Sequence, residues 1–182
     1  MSPAERARFA ETIEQGVARL DRLVRGLLDL ARADMAAAGG QAALRPLAEA
    51  AAARFPALRI AVTGDALAAI GPQAVATVLD SLLGNTLAHA GPGSAVTIGI
   101  ASMGGTAVML LADDGPGISP ANAVRAFDPF FTTARGQGGT GLGLAIARSL
   151  LEGAGGGIVL VPAACGAAFR VTLPAARPGP HS

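Results

Sequence analysis

Apolar residues near the start of the chain recur at helical spacing. Phe9, Ile13, Leu20, Leu23, Leu27 and Leu30 fall on one stripe while Arg, Asp and Glu take the other positions, which predicts an amphipathic helix over about 4–34. Numbered in heptads, Ile13, Leu20 and Leu27 share one seam position and Phe9, Gly16, Leu23 and Leu30 the other, with Val17 and Val24 widening the stripe. Such a face needs a partner. Because the small-residue run from Ala36 to Gly40 then reads as a flexible joint, the pattern favours a dimerisation helix over 1–36, followed by a linker over 37–45, above a helix packed on its own domain.

Beyond the joint the period alternates between helix and strand. Helices are predicted over 47–55, with Pro46 in the first turn and Pro56 ending it, and over 73–90, where Val75, Val78, Leu79, Leu82 and Leu83 face inward until Gly91-Pro92-Gly93. Strands are predicted over 58–62, 96–100 and 107–112, the last two separated by the turn residues Gly104-Gly105. A helix over 120–126, a glycine-rich loop, a helix over 142–151 and a hairpin of 158–161 with 167–173 complete the unit. This irregular order predicts an α+β fold: a two-layer sandwich of a mixed β-sheet with helices packed on one face, preceded by the long N-terminal dimerisation helix. The folded unit is expected over 46–175 and a tail over 176–182.

Composition narrows the class. All fourteen basic residues are Arg, scattered along the chain, and the net charge is +1, so the electrostatic footprint of a nucleic-acid binder is missing. Cys165 is the single cysteine, which rules out an internal disulfide, and no Cys/His spacing suits zinc. The apolar share of 51% is inflated by alanine, and Arg, Gly or Pro interrupts each apolar stretch before it could span a bilayer. The first residues show no secretory pattern. No membrane contact is expected from this segment, and cytoplasm is the expected compartment.

Four short segments carry candidate chemistry. Asn85 and His89 lie four apart on one predicted helix and so project from one face. An Asn oxygen together with phosphate oxygens suits magnesium, which prefers oxygen ligands and keeps waters, although Asn85 alone reads equally well as a surface residue. Asp113 ends an apolar strand just before Gly115 and Gly117, where a carboxylate can accept from an adenine amino group while the glycines let the base approach. A strand-to-loop turn of the Asp-Gly type competes with that reading, and Asp114 can serve the turn. The segment 127–133, with Phe130, Thr132 and Thr133, reads either as a wall beside a nucleotide or as an aromatic anchor of the core, since it holds three of the six Phe. The segment Gly139, Thr140, Gly141, Leu142, Gly143 and Leu144 opens a helix, whose exposed N–H groups can cradle phosphate, and the glycine-rich loop over 134–138 before it reads as a lid. A dinucleotide loop is a weak reading because no strand leads into these glycines, and a P-loop is excluded because the chain has no Lys.

In this order and spacing the four segments resemble the ATP-binding catalytic domain of two-component sensor histidine kinases, within the wider group of ATPases that includes gyrase, Hsp90 and MutL. The resemblance implies ATP and Mg²⁺ as cofactors. It makes Asn85 the metal ligand, His89 a nucleotide contact, Asp113 the adenine anchor, Gly141–Leu144 the phosphate cradle, and Gly115, Gly117, Phe130, Thr132, Thr133, Gly139 and Thr140 further ATP-binding residues. It also likens the first helix to the second helix of the family's phosphoacceptor hairpin, implying a homodimer and a response regulator receiver domain as partners. The phosphoacceptor His is absent, since the histidines are His89 and His181. The expected function is therefore transfer of the ATP γ-phosphate to a histidine outside this chain, which looks cut just after its substrate helix. Two departures stand out: Ser81 replaces a usual Asn and Ala88 a frequent Lys. Relatives that hydrolyse ATP carry a general-base Glu where Ser81 stands, so Ser81 argues for phosphoryl transfer. The alternatives are an anti-sigma-type serine kinase and a non-catalytic ATP-binding or dimerisation module.

Overall fold

A computed structural model of the chain describes Arg6, Phe9, residues 39–134 and residues 139–176. The dimerisation helix expected over 1–36 thus lies outside the described residues, apart from Arg6 and Phe9, which are helical and exposed. Residues 135–138 of the expected lid also lie outside them.

Five strands form one mixed sheet in the order β2-β4-β5-β7-β6, where β2 is Arg59–Gly64, β4 Ala95–Met103, β5 Thr106–Asp113, β6 Gly157–Val161 and β7 Ala168–Pro174. The β2–β4 pair is parallel and the other three pairs are antiparallel. Side chains alternate across the pleat, so one face is buried and the other open. Val96, Ile98, Ile100, Met109, Leu111, Phe169, Val171 and Leu173 are buried, while Thr97, Leu110, Arg170 and Val159 are exposed. The buried face is covered by α1 (Leu44–Arg54), α2 (Pro72–Ala90) and α4 (Gly143–Gly153), giving the two-layer α+β sandwich read from the sequence.

The central helix α2 starts with Pro72 in its first turn and stops at Gly91, whose φ of 87° suits glycine. It turns Val75, Val78, Leu79, Leu82, Leu83 and Thr86 into the core. Ala48 and Ala51 of α1 are fully buried, and such small side chains let α1 lie close to its neighbours. Arg54 at its end pairs with Asp80 of α2, bonding Oδ1 through Nε at 3.2 Å and through a second guanidinium nitrogen.

Several boundaries differ from the expected ones. α1 begins at Leu44 instead of 47, and strand β1 (Ala42–Ala43) occupies part of the expected linker over 37–45. β1 pairs antiparallel with β3 (Leu67–Ala68), which is itself bridged to Ala175, and Ala176 donates its N–H to Leu67. Two-residue strands carry no periodicity, so only the tertiary pairing reveals them. The helix expected over 120–126 is α3, Pro120–Ala123, capped by the Ser119 hydroxyl, with turns beyond it. Among the described residues no helix is long and apolar enough to cross a membrane.

Candidate nucleotide site

A cavity of about 720 Å³ opens between α2, the end of β5, the segment after α3 and the start of α4. Its α2 wall is one helical face, on which Thr77, Ser81, Gly84, Asn85, Ala88 and His89 follow one another at spacings of one, three and four. Asn85 is half-buried, and nothing among the described residues hydrogen-bonds its amide. His89 is exposed at the rim.

Asp113 lines the cavity from the end of β5. The residue is 8% exposed and its carboxylate is held by three donors: Oδ1 accepts from the N–H groups of Gly115 and Ala167, each at 3.0 Å, and Oδ2 accepts from the Thr86 hydroxyl at 3.1 Å. A carboxylate has about four acceptor positions, so one on Oδ2 remains for a ligand donor. Asp114 turns away instead. It accepts from the Ala95 N–H at 2.9 Å and faces Arg59 at 3.8 Å, tying the end of β5 to the start of β4, while the local bond to the Gly115 N–H is made by Asp113. The approach around Asp113 depends on Gly166, where φ is 68° and a Cβ would lie 1.8 Å from the Asp113 carbonyl oxygen. Gly117 in turn lies against Gly166, with 2.8 Å between its would-be Cβ and the Gly166 oxygen.

The aromatic segment divides its roles. Phe127 is an anchor: its ring meets Phe169 edge to face at 6.5 Å, with the Arg148 guanidinium 5.8 Å from its centroid. Phe131, Thr132 and Thr133 line the cavity, and Arg125 lies 4.7 Å above the Phe131 ring. Phe130 does not line it. Its φ of 65° turns the ring outward, 49% exposed, and its N–H donates to the Gly141 carbonyl at 2.9 Å. Gly115 is not on the wall either; its N–H holds Asp113, and a Cβ there would lie 2.6 Å from the Ala90 Cβ.

Gly139, Thr140, Gly141, Leu142, Gly143 and Leu144 all border the cavity. Gly141 needs to be glycine, because φ is 71° and a Cβ would come within 2.5 Å of the Phe130 carbonyl carbon. The start of α4 at Gly143 borders the cavity and has no side-chain cap, so its first N–H groups lack that partner, the arrangement in which helix starts can accept anions. Leu142 is buried, and Leu144 packs partly against the core while edging the cavity. The described wall bears the carboxylates of Asp80 and Asp113 and no Arg, leaving His89 as its one group able to carry positive charge.

Sequence reasoning missed Thr86, Gly166 and Ala167. Ala167 reaches Asp113 from 54 residues away, which no local signal could report. Thr86 had a faint one, a hydroxyl on an otherwise apolar helix face.

Residues 71–177 match the family described as "Histidine kinase-, DNA gyrase B-, and HSP90-like ATPase". The chain is 33% identical over 166 residues to the sensor protein IrlS of Burkholderia pseudomallei, covering 81% of this chain and 35% of that one. It is 34% identical over 191 residues to the "Probable sensor histidine kinase HK" of Mycobacterium tuberculosis, covering all of this chain and 49% of that one. The chain therefore spans about a third to a half of the length of these relatives. Among solved structures, full-length ShkA in complex with AMPPNP superposes with a TM-score of 0.71 at 25% identity, over 97% of this chain and 40% of that one. Fold, cavity and relatives agree: the chain belongs to the histidine kinase-, DNA gyrase B- and HSP90-like ATPases and carries the ATP-binding catalytic domain of a sensor histidine kinase.

Proposed function

We propose that the cavity binds ATP with Mg²⁺ and that the chain passes the γ-phosphate to a histidine on another segment or polypeptide, for onward transfer to a response regulator. The observation that carries this reading is convergence on one cavity: a carboxylate with one acceptor position left, an Asn amide with no hydrogen-bond partner among the described residues, and an uncapped helix start. The adenine amino group donates to Asp113. The polyphosphate lies toward the N–H groups at Gly143 and Leu144, where backbone donors and the helix dipole favour negative charge. Asn85 would hold the magnesium ion through its amide oxygen, and the ion, when bound, neutralises charge on the transferring phosphoryl group. That ion matters more here than where a lysine is present, since Ala88 brings no charge.

Ser81 lines the cavity where relatives that hydrolyse ATP carry a general-base Glu, and a hydroxyl there favours transfer over hydrolysis. Dimerisation through residues 1–36 and a cytoplasmic setting belong to the same proposal. A second reading, a nucleotide-binding module without transfer, draws on Ser81 and Ala88 together. Calorimetry with ATP and Mg²⁺, followed by incubation with a separately supplied phosphoacceptor hairpin, separates the two. Binding with labelling of the hairpin supports the kinase, binding alone supports the second reading, and no binding removes both.

A further inference from the structure

Among the described residues the core is apolar but for two side chains, Thr86 at 1% exposure and Asp113 at 8%. They bond each other. Thr86 sits on the buried face of α2 beside Leu79, Leu82 and Leu83, a place where a purely packing residue would be apolar, because a buried hydroxyl costs free energy unless it is bonded. A helical threonine commonly returns its hydrogen to the carbonyl one turn back. Here the hydrogen goes across to β5, 27 residues away.

The consequence lies on Oδ2. Oδ1 is saturated by two backbone N–H groups, whereas Oδ2 has the Thr86 hydrogen and one further position, with Asp113 on the cavity wall. The hydroxyl therefore occupies the deep side of Oδ2 and leaves a single acceptor toward a ligand. A purine with an exocyclic amino group matches that acceptor. One with hydrogen at the same carbon makes no bond, and one with an oxo group sets two acceptors together. Thr86 does not line the cavity, so any influence on the ligand passes through Asp113.

We propose that Thr86 is a positioning residue that fixes the acceptor of Asp113 and so sets the preference for an amino-bearing purine nucleotide; the proposal rests on the nucleotide-site reading above. The test compares ATP with purine riboside triphosphate, which has hydrogen in place of the amino group, by calorimetry on the full chain. Wild type binds ATP more tightly. Thr86→Val, isosteric but without the hydroxyl, weakens ATP roughly tenfold and leaves the ligand lacking the amino group within about twofold, while Thr86→Ser keeps the wild-type ratio. Thr86→Ala serves the same comparison should the valine variant fail to fold. Equal weakening of both ligands, or an unchanged ratio in Thr86→Val or Thr86→Ala, overturns the role of Thr86 and leaves the nucleotide site standing. A wild-type chain that binds neither ligand overturns the site itself, and this proposal with it.

Discussion

Asp113 can be changed with little disturbance to its surroundings, which makes it a clean probe. In Asp113→Asn the amide oxygen can still accept from Gly115 and Ala167, and the Thr86 hydroxyl can turn to accept from the new NH₂ group, but the cavity is then offered a donor in place of an acceptor. ATP affinity should fall by about 2–3 kcal/mol, up to roughly a hundredfold, while the melting temperature changes little. Calorimetry beside a thermal melt reads both. Asn85→Ala should act differently, weakening binding only when Mg²⁺ is present, so titrations with and without the ion converge in that variant. Two glycines allow a backbone test. Gly104 and Gly166 both have positive φ, but a Cβ at Gly104 meets nothing within 4 Å, whereas one at Gly166 strikes the Asp113 oxygen. Gly104→Ala should cost about 1 kcal/mol and Gly166→Ala well above about 2 kcal/mol, as read by urea denaturation. Asp113 and Asn85 were legible because each stands in a short local pattern. Gly166 was not, since its need for a bare Cα arises only where β7 begins beside the end of β5. Phe130 misled for a related reason: the aromatic run names a wall, but the left-handed turn that points Phe131 inward and Phe130 outward is invisible in composition.

The elements are held together by packing more than by charge. Phe169 is fully buried in β7 and meets Phe127 from the segment after α3, so it ties the sheet to the cavity wall. Phe169→Ala should destabilise by about 3–5 kcal/mol in chemical denaturation. The ion pair of Arg54 with Asp80 joins α1 to α2 in good geometry, yet both side chains are nearly half exposed, and Arg54→Ala should cost below about 1 kcal/mol. Comparable losses in the two variants would contradict this ordering. Longer elements were readable because their periods were unmistakable: α2 keeps one buried face for 19 residues, and β4, β5 and β7 alternate cleanly. The β1–β3 pair was not readable, because four residues supply no period and their partner bridge at Ala175 lies more than a hundred positions along the chain. The start of α4 was legible for a physical reason. Glycines around an uncapped helix start announce close backbone approach and free N–H groups, and those two properties make an anion site.

At the scale of the whole molecule, nucleotide binding and phosphoryl acceptance should separate. The heptad stripe of Ile13, Leu20, Leu23, Leu27 and Leu30 predicts that residues 4–34 drive weak self-association, which sedimentation of the full chain against one beginning at Gln41 would measure. Equal monomeric behaviour at high concentration removes that expectation. The chemical expectation is sharper: the 182-residue chain should bind ATP and yet form no phosphohistidine. Of its two histidines, His89 stands at the cavity rim on the same helix face as Asn85. Phosphoryl transfer needs the attacking and leaving oxygen or nitrogen atoms roughly in line through phosphorus, and a group that flanks the bound polyphosphate lies to its side. His181 follows Pro178-Gly179-Pro180, and no Asp or Glu stands beside it in the sequence. Incubation with γ-labelled ATP should therefore leave the chain unlabelled, while a separately added hairpin carrying an acceptor histidine gains acid-labile phosphate in trans. That transfer should be lost with Asp113→Asn, because the nucleotide is no longer held. Acid-labile label on His89 or His181 of the isolated chain would place the acceptor within these residues and reverse that division of labour.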